Sequence, residues 1–522
     1  MLIPGGLLRC QRVWLPDRQR CGMAWQQSAE AIVPGVTRGR AEHPATRPHG
    51  EARTGMRQPP REAARERAVQ LAFDWEGAGE ARPEPGEGSP PGAAPTRAGA
   101  LAQTLMEEVV AAANLRRALK RVRSNKGSPG VDGMTTRELP AYLKQVWPRL
   151  KEELLAGTYR PQPVKRAEIP KPGGGVRALG IPTVVDRFIQ QAILQVLTPV
   201  YEPTFSRSSY GFRPGKSAHQ ALAAGREHVA SGKAWVVDLD LEKFSDRVNH
   251  DVLLGRLAKR IGDARVLRVI RRYLEAGVLA DGVVIDRHEG TPQGGPLSPL
   301  LANVLLDELD REVERRGHAF CRYADDVQIY VRSQRAGERV LVSLTRFLER
   351  TLRLTVNHAK SAVARTRERT FLGYRIRGRA QARLGIAPES VKRAKDTIRR
   401  ITKRNRGVSL DRVLSELRTF TDGWVGYFWV APTPSVFQAL DEWIRRRLRC
   451  YQWKQWKTPR RRARELRKAG VGPWLAWGTA YDGPGLWRAA GSPALTRTLP
   501  NARLIQLGFH SLHDRYQALA AG

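Results

Sequence analysis

In Trp235-Val236-Val237-Asp238-Leu239-Asp240-Leu241 apolar and acidic residues alternate. The two-residue period of a strand puts Val237, Leu239 and Leu241 on one face and Asp238 and Asp240 on the other. A second acidic pair lies in Phe320-Cys321-Arg322-Tyr323-Ala324-Asp325-Asp326-Val327-Gln328-Ile329-Tyr330-Val331. Two apolar runs flank a short turn there, the pattern of a β-hairpin with Asp325 and Asp326 at its tip. Adjacent aspartates also favour turns for conformational reasons alone. The other reading comes from charge, because acid gathered on one strand face and one hairpin tip of a very basic chain calls for a cation between them. Mg²⁺ is a hard ion held by one or two carboxylates and by phosphate oxygens, and paired ions about 4 Å apart clamp the attacking and leaving oxygens of phosphoryl transfer. On these residues alone both readings stand.

Further groups accompany the acids. The stretch Gly290-Thr291-Pro292-Gln293-Gly294-Gly295-Pro296-Leu297-Ser298 ends in a helix from about Pro299, with Leu301, Leu305, Leu309 and Val313 as its buried stripe. Upstream, Ile169 to Val185 reads as two short strands joined by the flexible tip 171–175, with Lys171 and Arg177 beside the glycines. Such a pair can fork onto a triphosphate, and it can equally be a solvated turn. Tyr210-Gly211-Phe212-Arg213-Pro214-Gly215-Lys216 adds cations beside aromatics.

The elements that must position these groups belong to a chain of 522 residues with 89 Lys and Arg against 51 Asp and Glu, a formal charge of 89 − 51 = +38. So large an excess repels itself unless a polyanion neutralises it, and nucleic acid is the usual partner. No apolar run is long enough for a membrane span and the start lacks a secretory signal, so a cytoplasmic, nucleic-acid-associated protein is expected. Cys10, Cys21, Cys321 and Cys450 form no C-x-x-C pair, which leaves oxygen as the donor for any catalytic metal. Residues 1–98 hold 12 of the 34 prolines and read as a disordered leader, with Met56 an alternative start. Helical spacing begins near Leu101, with Leu105, Val109, Ala112, Leu115, Leu119 and Val122 on one side. Helices and strands then alternate to about residue 376. Beyond it the chain reads as helical and basic, with 8 of the 13 tryptophans from Trp424 onward. Between Asp441 and Gly470, 12 Lys and Arg face 3 acids, a footprint for phosphates.

The ordered set GVDG, IPKPGGGVRALGIPTVVDRFIQQA, SYGFRPGKSAHQAL, WVVDLDLEKFSDRVNHD, GTPQGGPLSPLLANVLLDELD, RYADDVQIYV and FLGY resembles the reverse transcriptases of bacterial group II introns. LRTFTDGWVGYF and LRCYQWKQWKTPRRRARELRKAG are similar to that family's maturase region, so the likeness covers about four-fifths of the chain. It implies an α+β right-hand polymerase, fingers and palm over 99–376, followed by a helical thumb and maturase domain over 377–522. It further implies two Mg²⁺ ions on Asp240, Asp325, Asp326 and the Leu241 backbone carbonyl, Lys171 and Arg177 on the triphosphate of a deoxynucleoside triphosphate, and Gln293 on the incoming nucleotide. Asp238 is expected outside the metal shell. Group II intron RNA and a DNA target or primer are the implied partners, and the oligomeric state is left open.

One departure stands out. Where the family has two aromatics after the catalytic aspartate, this chain has Phe244 and then Ser245, which is expected to loosen rejection of ribose. No paired cysteines and histidines of a terminal nuclease follow Cys450, so a form without the HNH endonuclease is expected, primed from an existing DNA end. Two alternatives remain: a splicing-only maturase with an idle polymerase, and a reverse transcriptase of a diversity-generating or phage-defence system.

Overall fold

The helical spacing after Leu101 is interrupted once, at Ala111, whose extended backbone (ψ 136°) separates α1 (Leu105–Val110) from α2 (Ala112–Asn125). Ala112 is consequently exposed, and Asn114 takes a buried place by donating to the Val109 and Ala192 carbonyls. The computed structural model describes residues 104–521 apart from 171–175, 281–282, 286, 292–293, 379 and 482–484. The expected leader, 1–98, lies outside the described residues.

α3 (Leu139–Leu155) follows in the chain. β1 (Val164–Pro170) and β2 (Val176–Ile181) pair antiparallel, with Pro170 opposite Val176 across the glycine tip. The strands expected to run to Val185 stop earlier, because the Thr183 side chain caps α4 (Val184–Tyr201) by accepting from the Asp186 amide. α5 (Ala218–Ala230) opens on a capping box of Ser217 and Gln220. β3 (Trp235–Leu239), α6 (His250–Ala258), α7 (Ala264–Glu275), β4 (Val278–Ala280) and β5 (Val283–Ile285) lead to α8 (Ser298–Arg315), which buries Leu301, Leu305, Leu309 and Val313 as expected. β6 (Ala319–Tyr323), β7 (Asp326–Val331), α9 (Gln334–Phe347) and β8 (Ala362–Arg365) complete the first compact unit, residues 104–216 and 233–365. Its sheets run in the orders β2-β1-β4-β5 and β6-β7-β3-β8. One apolar core fills it, from Leu105 to Val356.

The second unit comprises 217–232 and 366–521. It is not helical throughout, since β9 (Tyr374–Arg377) and β10 (Arg383–Ile386) form a two-stranded sheet next to α5. After them come α10 (Pro388–Ile401), α11 (Leu410–Phe428), α12 (Pro434–Gln455), α13 (Pro459–Lys468), α14 (Pro473–Tyr481), α15 (Leu486–Ala489), α16 (Pro493–Thr498), α17 (Asn501–Gln506) and α18 (Leu512–Ala521). Trp424, Trp453 and Trp456 are core residues here. Among the described residues no helix is long and apolar enough to cross a membrane.

Candidate active site

β3 carries the first acids. Its antiparallel register with β7 pairs Asp238 with Gln328 and Leu239 with Val327, the last pair of the ladder, so Asp240 and Asp326 are the residues next to its end. Directly opposed residues share a face with their Cβ atoms about 5 Å apart. On the opposite face Val237, Leu239, Val327 and Ile329 enter the core. The sequence pattern and the ladder thus agree on which side is acidic. The Asp240 amide donates to Ser361 Oγ at 3.0 Å and its carbonyl accepts from the Asn357 amide at 2.9 Å. Leu241 is buried and bridges to Val356.

Asp325 and Asp326 sit at the tip of the β6–β7 hairpin as expected, Tyr323 pairing with Asp326. Ala324, the first loop residue, has φ +57°, the sign that a tight primed hairpin turn requires and that an alanine adopts at some cost. Asp326 reaches solvent but is crowded by protein. Desolvation first, and then the charges of Asp325, Asp238 and Asp240, push its carboxyl up to about 7. That coupling is a second sign that four carboxylates from two chain segments share one place. Lys360 Nζ lies 3.8 Å from Asp240 Oδ2. Asp238 is engaged sideways, accepting from Gln328 Nε2 at 3.5 Å, while Gln328 Oε1 accepts from the Tyr330 hydroxyl.

The donor set is all oxygen, which suits a hard divalent cation, and its mutual repulsion is what such a cation relieves. Among the described residues, no three His, Cys, Asp or Glu side chains stand close enough together to hold a metal ion as they are. The fit therefore rests on the donors' chemistry and shared face.

The groups expected on the nucleotide are placed unevenly. Lys171 and Gln293 lie outside the described residues, and Arg177 is placed only as a backbone position opposite Ile169 on β2. The loop that carries Gln293 is anchored on both sides. Upstream, the Thr291 amide donates to the Ser245 carbonyl at 2.6 Å and the Gly290 amide to the Val248 carbonyl at 2.8 Å. Downstream, Gly294 (φ +129°) lies so near β2 that a Cβ would stand 2.6 Å from the Gly180 carbonyl oxygen. Ser245 is half-buried in a short turn, Phe244–Asp246, whereas Phe244 is 7% exposed and packs in the core.

Sequence reasoning missed the support beneath the hairpin. Arg322 of β6 and Asp310 of α8 are both 0% exposed and form a two-pronged ion pair, Nε–Oδ1 2.7 Å and Nη2–Oδ2 2.6 Å. The same guanidinium donates to Asn303 Oδ1 and to the Ala324 carbonyl at 3.0 Å, which ties it to the turn bearing Asp325. Burial pushes the Asp310 carboxyl up against the pull of Arg322. The available signal was a charge inside an apolar strand and another inside an apolar helix face. Gly211 packs on the same turn, its would-be Cβ only 2.3 Å from the Ala324 nitrogen, and Asn303 Nδ2 donates to its carbonyl. Arg213, expected among free cations, is buried against Glu202 at 2.8 Å.

Comparison with known proteins adds the following. Residues 169–376 match the family model described as Reverse transcriptase (RNA-dependent DNA polymerase), and residues 391–470 match Group II intron, maturase-specific domain. Protein YkfC of Escherichia coli (strain K12) is 33% identical over 336 residues, which are 56% of this chain and 87% of that protein. Group II intron-encoded protein LtrA of Lactococcus lactis subsp. cremoris is 38% identical over 197 residues, 38% of this chain and only 33% of that longer protein. A solved Cas6-RT-Cas1–Cas2 complex is 27% identical over 48% of this chain and 43% of that chain, at a TM-score of 0.32, too low to bear on the fold.

Proposed function

The chain belongs to the group II intron reverse transcriptase and maturase family, RNA-directed DNA polymerases, and from that premise we propose that it binds its intron RNA to assist splicing and copies that RNA into DNA. In this reading the sheet β2-β1-β4-β5 belongs to the fingers and β6-β7-β3-β8 to the palm, while the second unit is thumb and maturase. The observation that carries it is that Asp325, Asp238 and Asp240 all act electrostatically on Asp326 beside the end of the β3–β7 ladder. Asp240, Asp325 and Asp326, with the Leu241 carbonyl, would hold Mg²⁺, which neutralises phosphate charge and lowers the pKa of a primer hydroxyl.

The chain's own groups have distinct parts. Asp326, its carboxyl pushed up to about 7 by desolvation and by Asp325, Asp238 and Asp240, is the acid whose charge a bound cation would most relieve. Arg322 and Asp310 keep the hairpin at a fixed height. Lys171, Arg177 and Gln293 orient the triphosphate and base of a deoxynucleotide by their place in the motifs. The test is primer extension on an RNA template with a DNA primer, deoxynucleotides and Mg²⁺. Full-length DNA supports the reading, and intron RNA binding without any synthesis would leave a splicing-only protein.

Two variants probe the details. Ser245→Phe restores the absent aromatic and is expected to raise discrimination between deoxynucleotide and ribonucleotide by about tenfold. Single-nucleotide incorporation kinetics measure it, and unchanged ratios would refute a sugar-sensing role for this position. Gly211→Ala drives a methyl into the Ala324 nitrogen. Overpacking costs about 1–3 kcal/mol, and an active-site shift near 1 Å costs about a hundredfold in rate. Primer extension is expected to fall by that order while RNA retention on filters changes less than about twofold. An unaffected rate would show that the turn yields without moving the acids.

A further inference from the structure

In the first unit the buried Arg322 is answered by Asp310 and the buried Arg213 by Glu202. On α12 the pattern differs. Arg446 donates to the Trp487 carbonyl, Arg447 to Thr402 Oγ1 at 2.6 Å and the Arg399 carbonyl, and Arg449 to the Leu499 carbonyl and Asn501 Oδ1. Arg404, in the loop after α10, donates to Cys450 Sγ at 3.6 Å. Every acceptor in this set is neutral. Desolvation pushes the Arg447 guanidinium below its ordinary value, and the nearby charges of Arg399 and Arg404 act in the same direction. Arg449 is lowered likewise, by burial and then by Arg445. Arg447 and Arg449 are half-buried with neutral hydrogen-bond acceptors, the Arg447 guanidinium lying also 5.1 Å from the Trp443 ring centroid, and an anion from outside the chain relieves such uncompensated charge.

A cavity of about 220 Å³ lies at this place, lined by Thr402, Arg404, Arg447, Cys450 and Trp487. The Thr402 hydroxyl is already engaged, donating to the Ile398 carbonyl and accepting from Arg447, so it shapes the floor and leaves the arginines as the polar groups open to a ligand. Burial raises the Cys450 thiol pKa, while Cys450 acts on Arg447 against its desolvation. Trp487 is 40% exposed, with the Arg446 guanidinium 4.6 Å from its ring centroid. The site thus offers two cations and a part-exposed indole among its lining residues. A free phosphate would use only the cations, whereas a nucleotide with an unstacked base would use both.

We propose that this cavity captures one unpaired nucleotide of bound RNA, its phosphate between Arg404 and Arg447 and its base against Trp487. The proposal rests on the RNA-binding reading above and adds to it a single-strand-selective contact outside the acidic cluster. Duplex RNA keeps its bases stacked and reaches only the arginines.

The test uses the full chain with a saturating primer–template hybrid. Fluorescein-labelled uridine single strand of about 12 nucleotides is titrated against an RNA duplex of equal length. Trp487→Ala is expected to weaken single-strand binding by about fivefold or more and duplex binding by less than about twofold. Arg404→Gln is expected to lower the slope of log affinity against log salt by about 0.7 for the single strand. Primer extension by both variants stays at the wild-type rate. Equal losses on single strand and duplex, or no loss on either, would overturn the proposal. So would competition by inorganic phosphate that is equally effective in wild type and Trp487→Ala, since that marks a simple anion site. Absence of primer extension in the wild type bears on the polymerase reading alone and leaves these affinity differences readable.

Discussion

Replacing Asp325 with Asn is expected to lower RNA-templated primer extension by about a thousandfold or more, with intron RNA binding changed by less than about twofold. Transition-state charge stabilisation at a carboxylate-held cation amounts to several kcal/mol, and about 4 kcal/mol corresponds to three decades of rate. Asn keeps the shape of the side chain and removes the charge. After desolvation, Asp325 is the largest influence raising the Asp326 carboxyl. Its neutralisation therefore relieves repulsion at the tip, and the thermal unfolding midpoint should stay level or rise. A folded variant that loses polymerisation and RNA binding together would contradict the separation of the acidic cluster from the RNA-holding surface.

The second large effect concerns stability. Arg322→Met leaves Asp310 buried without its partner, and breaking a buried ion pair from one side costs about 3–5 kcal/mol. Urea unfolding should show that loss. The double variant Arg322→Met with Asp310→Leu removes both charges and is expected to recover most of it, because two apolar groups in the same space incur no desolvation cost. Activity should recover less than stability. The double variant still lacks the guanidinium that donates to the Ala324 carbonyl and Asn303, so the hairpin turn loses its tie even in a well-folded protein. A double variant that regains both in parallel would make Arg322 a purely structural residue, and a single variant within about 1 kcal/mol of wild type would remove the ion pair from the account.

Much of this was legible beforehand because period and punctuation carry it. The alternation around Asp238 and Asp240, the apolar runs flanking Ala324 and the leucine stripe of α8 each correspond to a strand or helix face that the core then buries. Local patterns predicted less well where long-range packing decides. Ala111 breaks a helix that spacing alone would continue, and Thr183 ends a strand by capping the next helix. β10 lies inside the stretch beyond residue 376 that reads as helical and basic, paired with β9 at its edge. Arg213 shows the same limit, since a cation beside aromatics looks available until Glu202 is folded against it. Asn303, Asp310 and Arg322 could not be joined by spacing, being residues of a helix and a strand that meet only through the fold. Trp487 and the uncompensated arginines of α12 were visible as composition and acquired meaning only when their neutral partners were placed.

The central claim is that Asp240, Asp325 and Asp326, far apart in sequence, serve one divalent cation site. Mn²⁺ binding followed by electron paramagnetic resonance, with primer–template and deoxynucleotide present, tests it most directly in wild type, Asp240→Asn and Asp326→Asn. Loss of the same bound Mn²⁺ signal in both single variants is the predicted result. Full retention of that signal in either variant, or loss of different sites in the two, would contradict a shared cluster and leave the β3 strand and the hairpin without common chemistry.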